Sequence, residues 1–172
     1  MSLLFLIGMP GAGKSYWGRQ IAQNLVMPFN DLDKYIIQQE QSSIADLFKN
    51  HGEQWFRQKE HDYLEKLIML SKPNTVIACG GGTPCFHNNM DLMNKAGVTI
   101  YIKANPESLL HNMKHSLALR PLLNEKDDVK GYLTKLLAYR QPFYEQARYI
   151  LQTEDISIAN FEKIISQCTN PQ

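Results

Sequence analysis

A glycine-rich segment at residues 8–15 constrains the fold more than any other part of the chain. Its sequence, GMPGAGKS, matches the pattern GxxxxGK[ST]. The apolar run LLFLI at residues 3–7 precedes it, as expected of a strand buried on both faces of a parallel sheet. A helix is predicted from residue 15 to about residue 26. Because the motif binds phosphate when it joins a strand to a helix, it predicts an α/β fold with a phosphate site after the first strand.

Each part of this loop has its own chemical use. Gly11 and Gly13 permit backbone angles that turn amide N–H groups toward a phosphate, and the amino end of the following helix adds positive partial charge. Lys14 can reach the β- and γ-phosphates of ATP, and the Ser15 hydroxyl can bind Mg²⁺. Tyr16 stands where a small hydroxyl residue is common, yet it keeps its backbone N–H. The residues predicted to bind ATP are Gly11, Ala12, Gly13, Lys14, Ser15 and Tyr16.

Along the rest of the chain, short apolar runs alternate with longer amphipathic stretches, which is typical of a parallel sheet covered by helices. Further strands are predicted at residues 27–30, 75–79, 98–104 and 148–152. Helices are predicted at residues 53–70, from 106, at 128–147 with a kink at Pro142, and at 158–168, with a short one between Ser43 and Gly52. The polar stretch at about residues 112–126 lacks periodicity and is predicted to be a mobile lid.

Composition indicates which binding partners and which cellular compartment to expect for this chain. A net charge of +1 provides no field for nucleic acid. The cysteines Cys79, Cys85 and Cys168 are odd in number and form no CxxC pair, which indicates a reducing compartment. The apolar run at the amino end is too short for a signal peptide or a membrane span. We therefore expect a cytoplasmic monomer whose partners are small molecules, with neither nucleic acid nor membrane among them.

Two carboxylates follow the second predicted strand. Asp31 and Asp33 would lie at the carboxyl edge of the sheet, where ligands bind in open α/β folds, and would point the same way if the chain stays extended. One could then face a metal's water shell and the other an incoming hydroxyl. The alternative is a solvated loop in which Asp33 caps a helix. Since the later strand ends in three glycines instead of an acid, the pattern favours a small-molecule kinase over a motor or switch protein.

At this point the chain resembles the shikimate kinase family over nearly its whole length. The segments that carry the resemblance are residues 8–15, 29–33 (FNDLD), 56–60 (FRQKE), 80–82 (GGG), 120–123 (RPLL) and 140–144 (RQPFY). The resemblance implies a three-layer α/β/α fold with a five-stranded parallel sheet, of the phosphate-loop kinase type. It also implies one kinase domain over residues 1–172, with a substrate-binding helical region at about 33–61. The enzyme would act in the pathway to chorismate and the aromatic amino acids.

The resemblance assigns roles on the nucleotide side. By matched position, Lys14 would be catalytic, Ser15 would bind Mg²⁺, and Asp31 would hold the ion through water. Asp33 would meet the hydroxyl of shikimate that receives the γ-phosphoryl group. Arg120 would come from the lid onto that group and so belongs to both the ATP-binding and the catalytic set.

The same resemblance assigns the binding of shikimate. Arg57 and Arg140 would clamp its carboxylate, because a planar anion suits a forked guanidinium. The backbone donors would come from Gly80, Gly81 and Gly82. Glu60 follows Arg57 by three residues on a predicted helix and would fix its guanidinium.

The chain departs from the family at Met113. Family members often carry an arginine there, seven residues before the lid arginine, which helps to cover adenine. We therefore expect base recognition here to rest on backbone and apolar contacts. Two rival hypotheses stay open at this stage, a gluconate-type sugar-acid kinase and a nucleotide-binding regulator without turnover. The first would need a different clamp, and the second would be expected to lack Asp33 or Arg120.

Replacing Arg120 tests the predicted lid. Closure would bring this guanidinium into a drier site, where it acts as charge develops on the transferring group. Arg120→Ala should lower kcat by a factor on the order of 10³ or more, as loss of an arginine finger does, with a smaller effect on shikimate binding. Steady-state kinetics measure both effects, and a wild-type kcat in this variant would remove Arg120 from the predicted site.

Overall fold

A five-stranded, all-parallel sheet organises the chain, and the computed structural model describes residues 3–114 and 129–169. Across the sheet the strands follow the order β2-β3-β1-β4-β5. They are β1 (Leu3–Ile7), β2 (Phe29–Asp31), β3 (Val76–Ala78), β4 (Gly97–Lys103) and β5 (Tyr149–Gln152). The predicted fold class is confirmed, since each strand pairs in parallel with its neighbours.

Helices connect these strands. They are α1 (Lys14–Asn24), α2 (Leu32–Glu40), α3 (Ile44–Leu70), α4 (Asn89–Ala96), α5 (Pro106–Lys114), α6 (Val129–Tyr144) and α7 (Ile158–Thr169). A short 3₁₀ turn, Thr83–Cys85, lies between β3 and α4. Within the described ranges, no helix combines the length and apolarity needed to cross a membrane.

The core forms around the three central strands because their side chains are apolar on both faces. Every residue of β1 and β3 is buried, and so is every residue of β4 except the last, which is half-buried. Leu4 of β1 pairs with Val76 on one side and Val98 on the other, so β1 lies in the middle of the sheet. β5 alternates half-buried and exposed residues, as an edge strand does. The loop that follows β1 therefore emerges at the centre of the sheet edge.

Local signals in the sequence place the start and the bend of α3. The Ser43 hydroxyl accepts a hydrogen bond of 3.1 Å from the Asp46 N–H, which is the predicted N-cap. Gly52, the predicted end of the short helix, has φ 81° and ψ 172° and breaks the helical geometry inside α3. A residue other than glycine would be strained at this φ, so the change of direction is encoded at Gly52.

Some boundaries differ from the prediction. The second strand begins at Phe29 instead of residue 27 and includes Asp31. The helix α6 continues through Pro142 to Tyr144. The helix α5 extends to Lys114, so the first three residues of the predicted lid, 112–114, are helical. The remainder, residues 115–126 with Arg120, lies outside the described residues.

Candidate active site

The phosphate loop has the backbone that its glycines predict. Gly11 and Gly13 adopt φ values of 81° and 89°, which glycine reaches without strain. Gly13 is the N-cap of α1 and provides no side-chain cap, so the first N–H groups of this helix are available to an anion. The loop is thus shaped as a cradle for phosphate oxygens.

Lys14 is held at the loop itself. Its side chain is 8% exposed, and Nζ donates hydrogen bonds of 2.9 Å to the carbonyl oxygens of Gly8 and Met9. Burial lowers the pKa of Lys14 to about 8, and the nearby charge of Asp33 opposes that shift. The ammonium group is therefore fixed by carbonyl oxygens at the end of β1, with a carboxylate in reach.

Ser15 and Asp31 form the candidate metal site. The Ser15 hydroxyl donates a hydrogen bond of 2.6 Å to Oδ2 of Asp31. The other carboxylate oxygen of Asp31 accepts from the Lys34 N–H at 3.2 Å and caps α2. The cap is thus Asp31, not Asp33 as the alternative interpretation had it. Hydroxyl and carboxylate oxygens are the hard ligands that Mg²⁺ prefers, so the residues present fit this ion.

Asp33 lies in the first turn of α2. The chain does not stay extended from Asp31 to Asp33, because the helix begins at Leu32. Burial raises the pKa of Asp33 to about 6; the charges of Glu60 and Asp31 add to this rise, and those of Lys14 and Arg57 oppose it. A carboxyl group with a pKa near neutrality can accept a proton, which suits a general base.

The three glycines after β3 leave room for the charged side chains around them. A Cβ on Gly80 would lie 2.8 Å from Oδ1 of Asp33 and 2.9 Å from Oε1 of Glu60. A Cβ on Gly82 would overlap the guanidinium of Arg57. Any larger residue would displace these groups, so the glycines are required by close approach.

Arg57 is a buried cation between two carboxylates. It is 7% exposed, and Nη1 donates to Oε2 of Glu60 at 2.8 Å, which is the predicted contact on α3. Nη2 and Nε donate to Oε1 of Glu53 at 3.1 and 3.2 Å. Its Cζ also lies 4.5 Å from the ring centroid of Phe86. Two of the five N–H groups of this guanidinium have no such partner among these contacts and can bind another anion.

Arg140, on α6, reaches the same region. Its charge lowers the pKa of Lys14, although less than burial does. Burial raises the pKa of the Cys85 thiol to about 11, and the charges of Arg140 and Arg57 both oppose that rise. Both arginines therefore act at the 3₁₀ turn that follows Gly82. Neighbouring Tyr144 donates a hydrogen bond of 2.5 Å to the carbonyl oxygen of Gly81, which fastens α6 to the glycines.

Two cavities meet at the phosphate loop. The larger, about 880 Å³, is lined by residues 11–17 together with Arg19, Asn112, Thr153 and Ile156. The second, about 570 Å³, has among its lining residues Lys14, Ser15, Asp31, Asp33, Gly81 and Met113. Lys14 and Ser15 belong to both. Groups bound in the two cavities would therefore meet at the same lysine and serine.

Met113 is buried against the phosphate loop. It is 3% exposed, and a Cβ on Gly11 would lie 2.6 Å from its Cγ, so it packs under the phosphate loop. Asn112 lines the larger cavity instead and donates from Nδ2 to the Gly11 carbonyl oxygen at 2.9 Å. Met113 also lines the second cavity, and base recognition through backbone and apolar contacts stays a prediction.

Three residues of the candidate site were not predicted from the sequence. Asn112 donates a hydrogen bond to Gly11, Tyr144 to Gly81, and Thr83 to Glu60. Tyr144 belongs to the segment RQPFY that carried the resemblance, so that signal was available. Asn112 and Thr83 had no signal, because each acts through a partner far away in the chain.

Comparison with known proteins agrees with this geometry. A family model described as shikimate kinase matches residues 10–170. The shikimate kinase of Bacteroides thetaiotaomicron is 36% identical over 158 residues, which cover 91% of this chain and 89% of that protein.

Two solved structures extend the comparison. A crystal structure of shikimate kinase from Bacteroides thetaiotaomicron superposes with a TM-score of 0.89 at 32% identity, covering 96% of this chain and 98% of that one. A shikimate kinase from Acinetobacter baumannii, in complex with shikimate, gives a TM-score of 0.84 at 29% identity, with coverages of 98% and 93%.

The raised pKa of Asp33 predicts a gain of stability when its charge is removed. The folded chain binds this proton more tightly than the unfolded chain, whose ordinary value is 3.8, so the ionised group opposes folding above pH 6. Asp33→Asn should raise the free energy of unfolding at pH 8 by on the order of 1 to 3 kcal/mol. The gain should shrink through pH 6 and vanish below about pH 4.

Urea unfolding at pH 8, 6 and 4 measures this effect. Asp155→Asn, in the exposed turn after β5, is the control and should change stability little at any of these pH values. If Asp33→Asn is less stable than the parent chain at pH 8, the attraction of Lys14 and Arg57 outweighs burial and the assigned pKa shift is wrong.

Proposed function

Since the chain belongs to the shikimate kinase family, we propose that it transfers the γ-phosphoryl group of ATP to the 3-hydroxyl of shikimate, giving shikimate 3-phosphate and ADP. One observation carries the proposal. The cavity that contains Asp33 shares Lys14 and Ser15 with the cavity along α1, so an acceptor hydroxyl and a triphosphate can meet at one point. The reaction belongs to the biosynthesis of aromatic amino acids.

The phosphate loop would bind the triphosphate. Its N–H groups at the start of α1 would surround the β-phosphate, and Lys14 would leave the carbonyl oxygens of Gly8 and Met9 for the phosphate oxygens. Ser15 would bind Mg²⁺ directly and Asp31 would hold it through water. When bound, this ion would neutralise charge that develops on the phosphoryl oxygens.

Asp33 would accept the proton of the attacking hydroxyl. Its pKa of about 6 leaves it largely ionised at neutral pH and still basic enough to take a proton as the oxygen–phosphorus bond forms. The phosphoryl group then passes to the shikimate oxygen without a covalent enzyme intermediate. Lys14, and Arg120 from the predicted lid, would stabilise the negative charge of the transition state.

Arg57 and Arg140 would bind the shikimate carboxylate. Arg57 keeps its guanidinium in place through Glu60 and Glu53, so little side-chain entropy is lost when the substrate binds. The backbone groups of residues 80–82 would contact the ring, which approaches closely because no side chain intervenes. A cytoplasmic location and a monomeric state stay predictions from the sequence.

A coupled assay of ADP release tests the proposed reaction. Shikimate, quinate, gluconate and nucleoside monophosphates would each be offered with MgATP, and shikimate should support turnover far better than the others. Lys14→Ala should abolish that turnover because the phosphate contact is lost, while circular dichroism shows that the fold is kept. ADP release that depends on gluconate alone, or on none of these acceptors, would contradict the proposal.

The carboxylate clamp makes a separate prediction. Arg57→Ala and Arg140→Ala should each weaken shikimate binding by on the order of 2 to 5 kcal/mol, with little change in ATP affinity. Arg57→Lys should be nearly as harmful, because a point charge cannot reproduce a forked contact. Arg148→Ala, at the exposed residue just before β5, is the control.

Titration calorimetry with shikimate and with ATP measures both affinities. Because Arg57→Ala leaves Glu60 buried and unpaired, its folding is checked first by thermal unfolding. Unchanged shikimate affinity in folded Arg57 and Arg140 variants would show that the carboxylate binds elsewhere.

A further inference from the structure

Glu60 has a second partner besides Arg57. The side chain is 1% exposed, and a buried carboxylate requires hydrogen bonds on both of its oxygens. Oε2 accepts from Arg57, and Oε1 accepts from the Thr83 hydroxyl at 2.6 Å. The orientation of Glu60 is therefore defined from two sides, by α3 and by the 3₁₀ turn.

Thr83 also closes the glycine turn. Its N–H donates to the Gly80 carbonyl oxygen at 3.2 Å, and its own carbonyl oxygen accepts from Nδ2 of Asn89 at 2.9 Å. Thr83 is fully buried and thus links three groups that belong to different elements: Glu60 on α3, the glycines after β3, and the start of α4. The carboxylate clamp and the glycine backbone are joined through this single residue.

Asn89 connects the turn back to α3. It is fully buried, and Oδ1 lies 2.7 Å from Nδ1 of His61. Because Nδ2 of Asn89 donates to Thr83, Oδ1 is the acceptor and Nδ1 of His61 carries the proton. His61 follows Glu60 directly on α3, so the hydrogen bonds run from Glu60 through Thr83 and Asn89 to the next residue of the same helix. Such a closed network holds its members in one arrangement.

We propose that Thr83 and Asn89 are positioning residues for shikimate, which hold Glu60 and through it the Arg57 guanidinium in the geometry that receives the substrate carboxylate. This inference rests on the proposed function. Without the Thr83 hydroxyl, Oε1 of Glu60 is a buried acceptor with no partner, and Glu60 turns to satisfy it. Arg57 then loses its fixed orientation against Gly82, while the hydrogen bonds of Lys14 and Ser15, which do not involve Thr83, are kept.

Thr83→Val removes the hydroxyl and keeps the shape of the side chain. We expect the KM for shikimate to rise about tenfold, because the variant loses one hydrogen bond to a charged carboxylate. The KM for ATP should be unchanged. Thr83→Ser restores the hydroxyl and should return the shikimate KM to within about twofold of the parent value. Asn89→Ala acts from the other side of Thr83 and should raise the shikimate KM about threefold, so it tests the same network if Thr83→Val does not fold.

Thr99→Val is the matched control, because Thr99 is also fully buried and its hydroxyl donates to Asn94 and not to Glu60. It should lower the midpoint of thermal unfolding without changing the shikimate KM. Equal shikimate constants for folded Thr83→Val and the parent would overturn the inference, and so would an equal rise in Thr99→Val or a failure of Thr83→Ser to restore binding. If the parent chain itself does not turn over shikimate, the proposed function is refuted instead.

Discussion

A buried ion pair joins Arg57 to Glu60 where α3 passes the end of β3, and the surrounding groups are arranged to tolerate it. Ions taken out of water cost several kcal/mol each unless the remaining donors and acceptors are bonded. Glu60 accepts a further hydrogen bond from the Thr83 hydroxyl, and Arg57 forms a second ion pair with Glu53, whose side chain is 60% exposed. These contacts reduce the cost of burying the two charges. The same buried negative charge reaches Asp33 and helps to raise its pKa. In the proposed function, Arg57 of this pair would bind the substrate, while Glu60 adds to the raised pKa of Asp33.

The sequence predicted those parts of the site that depend on neighbouring residues. The phosphate loop could be predicted because Gly11, Gly13, Lys14 and Ser15 act within one turn between a strand and a helix. Likewise, the i,i+3 spacing was enough to pair Arg57 with Glu60 once a helix was expected there.

Prediction failed where tertiary contacts decide. Asp31 and Asp33 would point the same way only on an extended chain, but the helix begins at Leu32. Asp31 accepts a hydrogen bond from Ser15 of the phosphate loop and caps α2. Met113 was expected in a polar lid, but α5 continues and buries this apolar side chain against Gly11. Both segments make a contact with the phosphate loop that is distant in the chain, from Asp31 to Ser15 and from Met113 to Gly11.

The order of the strands explains why these groups meet at all. The chain leaves β1 for β2 on one side of the sheet, returns through β3 beside β1, and then crosses to β4 on the opposite side of β1. At such a switch point the connections leave in opposite directions and open a crevice at the carboxyl ends of the strands. The phosphate loop leaves β1 and the glycines leave β3 at this crevice, while β2 brings Asp31 to its rim. Asp33, the candidate metal ligands Ser15 and Asp31, and the phosphate loop are therefore brought together by topology, and side-chain contacts fix their orientation.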